Sequence, residues 1–146
     1  MIMTEILSKD NVMLNANVGT KEEAIRLTGS VLVEKGYVDE SYIEKMLERE
    51  ALTSTYMGNF VAIPHGTEDS KSFVKESGIS IVQVPDGVDF GGGNIVKLLI
   101  GIAGKGDEHL DILSKIAIVC SEEENIESLV KANSAEEVLA IFEGVN

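Results

Sequence analysis

Two apolar runs constrain this chain more than any other feature: Ile79-Ser80-Ile81-Val82-Gln83-Val84, and the longer stretch from Ile95 to Ala103. A strand with one wet face alternates apolar and polar residues, whereas a near-continuous apolar run fits a strand covered on both faces. Phe60 to Ile63 is a third run of this kind, and Val12 to Leu14 can add an edge strand. The covering layers are legible as helices. Thr20 with Glu23 forms a capping-box pattern ahead of Ala24, Leu27 and Val31, and that helix stops near Gly36. Asp39 is a candidate cap for a second helix with Ile43, Met46 and Leu47 on one face. A third helix is expected from about Asp107 to Cys120, with Leu110, Leu113, Ala117 and Cys120 along one stripe and Ile112, Ile116 and Val119 widening it. Ile126, Leu129 and Val130 mark a fourth, preceded by the acidic turn Glu122-Glu123-Glu124. Ser134 and Glu137 cap a fifth that faces inward through Val138, Leu139 and Phe142. The order of elements is no strict strand–helix alternation. The expected fold is therefore α/β: a single-domain sandwich with a mixed, mostly parallel β-sheet and helices on both faces.

Composition agrees and excludes several function classes. A chain of 146 residues can bury one substantial core, and 44% hydrophobic with 25% charged residues is the balance of an ordinary globular protein. The lone cysteine, Cys120, rules out an internal disulfide and a multi-cysteine metal site; within Ile116-Ala117-Ile118-Val119-Cys120 it reads as a small buried hydrophobe. No stretch approaches the ~20 apolar residues of a membrane span. Met1 to Asp10 lacks a basic region followed by an apolar one, so no secretory signal is expected and a cytoplasmic location is. Twelve basic against 25 acidic residues give a net charge of −13. Such a surface repels nucleic acid and anionic membrane and favours encounter with a basic protein partner.

Chemistry can reside in few places. His65 follows the buried run in Val61-Ala62-Ile63-Pro64-His65-Gly66-Thr67. Pro64 cannot continue a central ladder, and Gly66 permits a tight turn, so the imidazole is offered at a strand end, where open α/β sheets bind ligands. Gly66 and Thr67 could turn backbone N–H groups toward an anion on the ring. A neutral imidazole is a competent nucleophile near pH 7 when its other nitrogen is held as a donor. On position alone, a structural histidine capping a turn fits equally well. His109 follows Gly104-Lys105-Gly106-Asp107-Glu108 at the start of the third helix, just past the longest strand, and could face His65; an exposed first-turn histidine is its other reading. Arg49 ends the second helix between two glutamates. That is the setting of a solvated side chain, yet a cation near His65 would be needed if the ring acquired the roughly −2 charge of a phosphoryl group. Two histidines without His-Glu-x-x-His spacing make a weak zinc site; Gly91-Gly92-Gly93 is a turn rather than a Walker or dinucleotide loop; and Gly-x-Ser-x-Gly is absent.

The segment from Glu50 to Gly66 resembles the phosphorylation-site region of the fructose/mannitol-type enzyme IIA family of the bacterial sugar phosphotransferase system. An acidic residue, six free positions, an apolar and a small residue, and then apolar-Ala-apolar-Pro-His are all in place. Leu52-Thr53, Thr55-Tyr56-Met57-Gly58, Gln83-x-Pro85-x-Gly87-Val88-x-Phe90-Gly91, Ile100-Gly101-Ile102-Ala103 and Glu108-His109 are similar to the mannitol branch, so the likeness extends over almost the whole chain.

The resemblance implies a IIA type-2 domain spanning 1–146, free-standing rather than fused to a permease. It implies a phosphotransferase with a phosphohistidine intermediate and neither a metal nor an organic cofactor. His65 would be phosphorylated by phospho-HPr, with Arg49 and His109 flanking the phosphoryl group and the hydroxyls of Thr53 and Ser54 within possible reach. The acceptor would be a cysteine on the IIB part of a mannitol-specific IIB/IIC permease, so that mannitol is taken up and phosphorylated. A regulatory, nitrogen-type IIA paralogue and a protein-interaction module in which His65 is never modified are the alternatives.

Overall fold

The computed structural model describes residues 3–144; the outermost two residues at either end of the expected 1–146 domain lie outside the described residues. The chain runs α1 (Met3–Ile6), β1 (Val12–Met13), α2 (Lys21–Glu34), α3 (Tyr42–Leu52), β2 (Tyr56–Gly58), β3 (Val61–Ala62), β4 (Gly78–Asp89), β5 (Ile95–Ala103), α4 (Glu108–Cys120), α5 (Glu123–Lys131) and α6 (Ala135–Glu143), with 3-10 turns at Lys9–Asn11 and Glu68–Phe73.

The five strands form one sheet in the order β1-β4-β5-β3-β2. The pairs β1–β4 and β3–β5 are parallel, while β4–β5 and β2–β3 are antiparallel. The sheet is mixed, as expected, and parallel neighbours make up half of its pairings. The antiparallel half has a simple origin: β4 and β5 are joined by Gly91, Gly92 and Gly93, all at left-handed φ, and a connection that short reverses the chain. Val12–Met13 is the edge strand its sequence indicated. The β2 strand, at the other edge, went unseen.

Both faces are covered, and the period of two along β4 and β5 shows how. Ile79, Ile81, Leu98, Ile100 and Ile102 pack with Ile112, Ile116, Leu129 and Phe142 from α4, α5 and α6. Their neighbours Val82, Val84, Leu99 and Ala103 pack with Ile25 and Leu32 of α2 and Met46 of α3. Burying each large side chain contributes roughly 1.5–3 kcal/mol, which is why the two runs cannot sit anywhere but between helical layers. The buried amide of Gln83 is matched on both sides. Gln83 donates from Nε2 to the Leu129 and Ala132 carbonyls, both at 3.0 Å, while its Oε1 accepts from the Asn15 N–H at 3.0 Å.

Thr20 caps α2, its hydroxyl accepting from the Glu23 N–H at 3.1 Å, and Ser134 caps α6 through the Glu137 N–H at 3.2 Å, both as expected. Asp39 does not cap α3. Its carboxylate accepts from the Ser41 N–H at 3.0 Å, closing a turn one residue ahead of Tyr42. The stripe expected to bury α4 is also corrected. Ile112, Ile116, Val119 and Cys120 face the core, whereas Ala117 is exposed and Leu110 is 71% exposed. Two apolar stripes share this helix, and the one carrying Ile112, Ile116 and Val119 is the one that meets the sheet. Cys120 is buried, and burial alone pushes its thiol pKa up to about 11, the property of an inert cysteine.

Candidate functional site

The parallel strands β3 and β5 end side by side and set up one cavity. After Ala62 the chain keeps to the edge of β5: the Ile102 N–H donates to the Pro64 carbonyl at 3.0 Å, and His65 makes an isolated parallel bridge with Ile102. From Ala103 the other strand turns through Gly104 into α4, whose second residue is His109. The two imidazoles meet with ring centroids 5.0 Å apart. Arg49, in the last turn of α3, lines the same cavity of about 350 Å3 together with Tyr42, Gly66, Lys71 and Asp107. The three residues singled out from the sequence are thus brought together. A separate cavity of about 380 Å3, at the opposite end of the two strands, is lined by Phe60, Lys97, Ile126 and Val130 and contains no histidine.

His65 is held by one bond that decides its chemistry. Its Nδ1 lies 2.7 Å from the Ile63 carbonyl oxygen. A carbonyl can only accept, so Nδ1 carries the proton and Nε2 carries the free lone pair. Burial pulls the His65 pKa below the ordinary histidine value of 6.5; the Ile63 carbonyl opposes this, Arg49 adds to it and Glu50 opposes it. The His109 pKa is lowered too, first by burial and then by the positive charges of His65, Lys71 and Arg49, against Glu68. Both rings are neutral near pH 7.

The supporting contacts are specific. The Arg49 guanidinium donates from one terminal nitrogen to the Thr53 carbonyl at 2.7 Å. The segment after Thr53 is pinned by Glu50, only 5% exposed, whose Oε1 accepts from the Thr55 N–H at 2.9 Å and the Thr55 hydroxyl at 2.6 Å while Oε2 pairs with Lys21 at 3.0 Å. Burial would raise the Glu50 pKa, but these hydrogen bonds, with those from Ser54 and Lys21, outweigh it and keep the carboxyl below its usual range. The loop ahead of α4 is tied down by Ser77, which accepts from the Lys105 N–H at 2.9 Å and donates to Glu108 at 2.6 Å.

Gly104 sets the position of His109 by close approach. A Cβ there would lie 2.5 Å from the His109 Cα and 2.7 Å from its backbone nitrogen. The variant G104A is expected to lose roughly 1–3 kcal/mol of stability in urea unfolding. It is also expected to weaken the proton NMR cross-peaks between the two imidazoles; unchanged cross-peaks would refute the placement.

Some expectations fail here. The Gly66 N–H does not point at an anion on the ring; it donates to the Tyr42 hydroxyl at 2.8 Å. Thr53 and Ser54 do not line the cavity: the Thr53 hydroxyl donates to the Leu52 carbonyl, and the Ser54 hydroxyl accepts from the Tyr56 N–H. Lys71, a second cation in the cavity, was not anticipated, because nothing local distinguishes it from a solvated lysine. Among the described residues no group of three or more His, Cys, Asp or Glu side chains is placed to hold a metal ion.

Fold and cavity together define an α/β protein with one polar site at paired strand ends, where a neutral imidazole and two cations can receive a small anion. The family model for the phosphoenolpyruvate-dependent sugar phosphotransferase system, EIIA 2, matches residues 5–145, and the chain belongs to this family. It is 71% identical over 141 residues to the mannitol-specific phosphotransferase enzyme IIA component of Geobacillus stearothermophilus, covering 97% of both chains. The crystal structure of IIA mannitol from Escherichia coli superposes with a TM-score of 0.87 at 40% identity, covering 93% of this chain and 98% of that one. A complex of enzyme IIA mannitol with phosphorylated enzyme IIB mannitol from Escherichia coli matches at 38% identity and a TM-score of 0.88, over 94% of this chain and 97% of that one.

Proposed function

We propose that this chain is a phosphocarrier that accepts a phosphoryl group from phospho-HPr on Nε2 of His65 and delivers it to a cysteine on the IIB domain of a mannitol permease. The single observation that carries the reading is the Nδ1–Ile63 bond, which fixes the tautomer and leaves Nε2 as the nucleophile beside His109 and Arg49 in one cavity. The 71% identity to a mannitol-specific relative supports transport over the regulatory alternative, and the neighbour caught with phosphorylated IIB supports the acceptor. A cytoplasmic location belongs to the same reading; among the described residues no helix is long and apolar enough to cross a membrane.

In the forward step the Nε2 lone pair attacks phosphorus in line with the bond to the donor imidazole. That N–P bond breaks, its electron pair stays on the donor ring, and the new N–P bond forms on His65. There is little covalent work for the protein beyond this, so its part is positioning and charge. The Nδ1–H, kept on the Ile63 carbonyl, stabilises the positive character of the phosphorylated ring. Arg49 spends one of its five N–H groups on Thr53 and has others for the equatorial oxygens. With a net charge of −13, the surface draws in a basic donor face, and the association rate is expected to fall with salt.

The test is the intact mass of the protein after incubation with phosphoenolpyruvate, enzyme I and HPr. One acid-labile phosphoryl group is expected; an unmodified mass beside demonstrably charged HPr would overturn the reading.

A pH dependence follows from the depressed His65 pKa. The ring is neutral above its folded-state value and gains a proton as pH falls through it, which removes the lone pair. Phosphoryl acceptance is therefore expected to be flat near pH 7 and to fall on acidification, with a midpoint below 6.5. The sign for stability is the same. The folded state binds fewer protons than the unfolded one, so the contribution is complete above 6.5 and lost as pH falls through the folded value. A rate that climbs between pH 7 and pH 5.5 would contradict the assignment.

A further inference from the structure

Tyr42 carries nothing that its sequence position advertises: it opens an amphipathic helix and is buried, as a core aromatic would be. Its hydroxyl, however, reaches the floor of the phosphoryl cavity. It donates to the Ile102 carbonyl on β5 at 2.9 Å and accepts from the Gly66 N–H at 2.8 Å. These are the strand that leads through Gly104 to His109 and the turn that bears His65. The helix on which Tyr42 stands carries Arg49 seven residues further on, two turns along the same side, about 10.5 Å away along the axis. Tyr42 itself lines the cavity with all three.

One oxygen atom thus joins the three supports of the three side chains that handle the phosphoryl group. The His65 turn also meets β5 through the Ile102 N–H on the Pro64 carbonyl, within the parallel bridge between His65 and Ile102. Beyond the histidine, the Gly66 amide is anchored through Tyr42. Without the hydroxyl, the Gly66 N–H and the Ile102 carbonyl would both lose a hydrogen-bond partner, and the peptide between His65 and Gly66 would be held less firmly against β5. In-line transfer tolerates little of this, since displacement of a reacting atom by about 1 Å can cost on the order of a hundredfold in rate.

We propose that Tyr42 is a positioning residue for phosphoryl transfer, its hydroxyl setting the His65–Gly66 turn against β5 and the Arg49 helix. This rests on the reading of His65 as the phosphoryl acceptor.

The experiment compares the wild type with Tyr42→Phe and Tyr37→Phe in single-turnover phosphorylation by charged HPr. Tyr37 also has a buried hydroxyl with a defined partner, accepting from Asn11 Nδ2 at 2.9 Å, but it lies in the core away from the cavity. Both variants are expected to lose some thermal stability. Only Tyr42→Phe is expected to lower the maximal transfer rate, by about 10- to 100-fold with the half-saturating HPr concentration within threefold of wild type. In the same protein the Gly66 amide should exchange faster and its proton resonance should move. A Tyr42→Phe transfer rate within twofold of wild type, or an equal loss in Tyr37→Phe, overturns the proposal. Should Tyr42→Phe fail to fold, 4-aminophenylalanine at position 42 takes its place, since it can still donate to Ile102 but is a poor acceptor for the Gly66 N–H. A several-fold slower transfer supports the proposal, and a wild-type rate refutes it. Failure of the wild type to accept any phosphoryl group would instead sink the His65 reading itself.

Discussion

His65→Ala is expected to remain folded and to take up no phosphoryl group, a loss of at least ~10^4-fold in transfer, because the variant has no nucleophile in the position the cavity serves. The structural cost is small by comparison. The substitution removes one side-chain hydrogen bond, Nδ1 to the Ile63 carbonyl, worth about 1 kcal/mol. His109 does not substitute for it. That ring sits 5.0 Å away on another element, and among the described residues no backbone carbonyl is hydrogen-bonded to it in the way Ile63 is to His65. Mass spectrometry after incubation with the charged donor, with circular dichroism to verify the fold, decides the matter. An acid-labile phosphoryl group on the alanine variant would show that the acceptor lies elsewhere.

The second large effect is expected at Arg49. Replacing it by glutamine removes a charge and a fork of donors from the cavity proposed to hold a dianionic group, in a protein already at −13. A fall of roughly 10^2- to 10^3-fold in the transfer rate is the scale for deleting one such donor at a developing charge. Lysine should recover only part of it, because a point charge cannot reproduce bidentate geometry. Arg49 also depresses the His65 pKa, so the acid limb of the pH profile should move upward in Arg49→Gln, a second readout independent of rate. Transfer within threefold of wild type, with the acid limb unmoved, would remove Arg49 from the site.

That His65, Arg49 and His109 would converge on one cavity was legible because each sits at the end of an element whose type is clear from its apolar pattern. Strand ends that lie side by side bring their loops together. What stayed hidden depended on long-range geometry. On α4, Leu110-Leu113-Ala117 and Ile112-Ile116-Val119 are both apolar at helical spacing, and periodicity cannot say which of them meets a sheet. The edge strand β2 was missed because its turn places Asn59 and Phe60 at the left-handed φ values of 49° and 71°, where Asn-Gly is the recognisable signal and Phe conceals it. Tyr42 was passed over for a related reason. A tyrosine at the start of an amphipathic helix reads as core, and only the fold reveals that Gly66 and Ile102, 24 and 60 residues away, converge on its oxygen. The expected anion contact of the Gly66 amide failed on the same fact.

The Ile63 carbonyl has a consequence for the economy of the whole cycle. With His65 as the proposed phosphoryl acceptor, the hydrogen on Nδ1 would be parked before the group arrives and still be there after it leaves, because the carbonyl oxygen cannot give up a proton. No base has to be recruited, no acid regenerated, and no water molecule need serve as courier. On that reading, loading and unloading would be mirror images at this ring, and the direction of traffic would be set by which partner docks. Heavy water should slow neither direction appreciably.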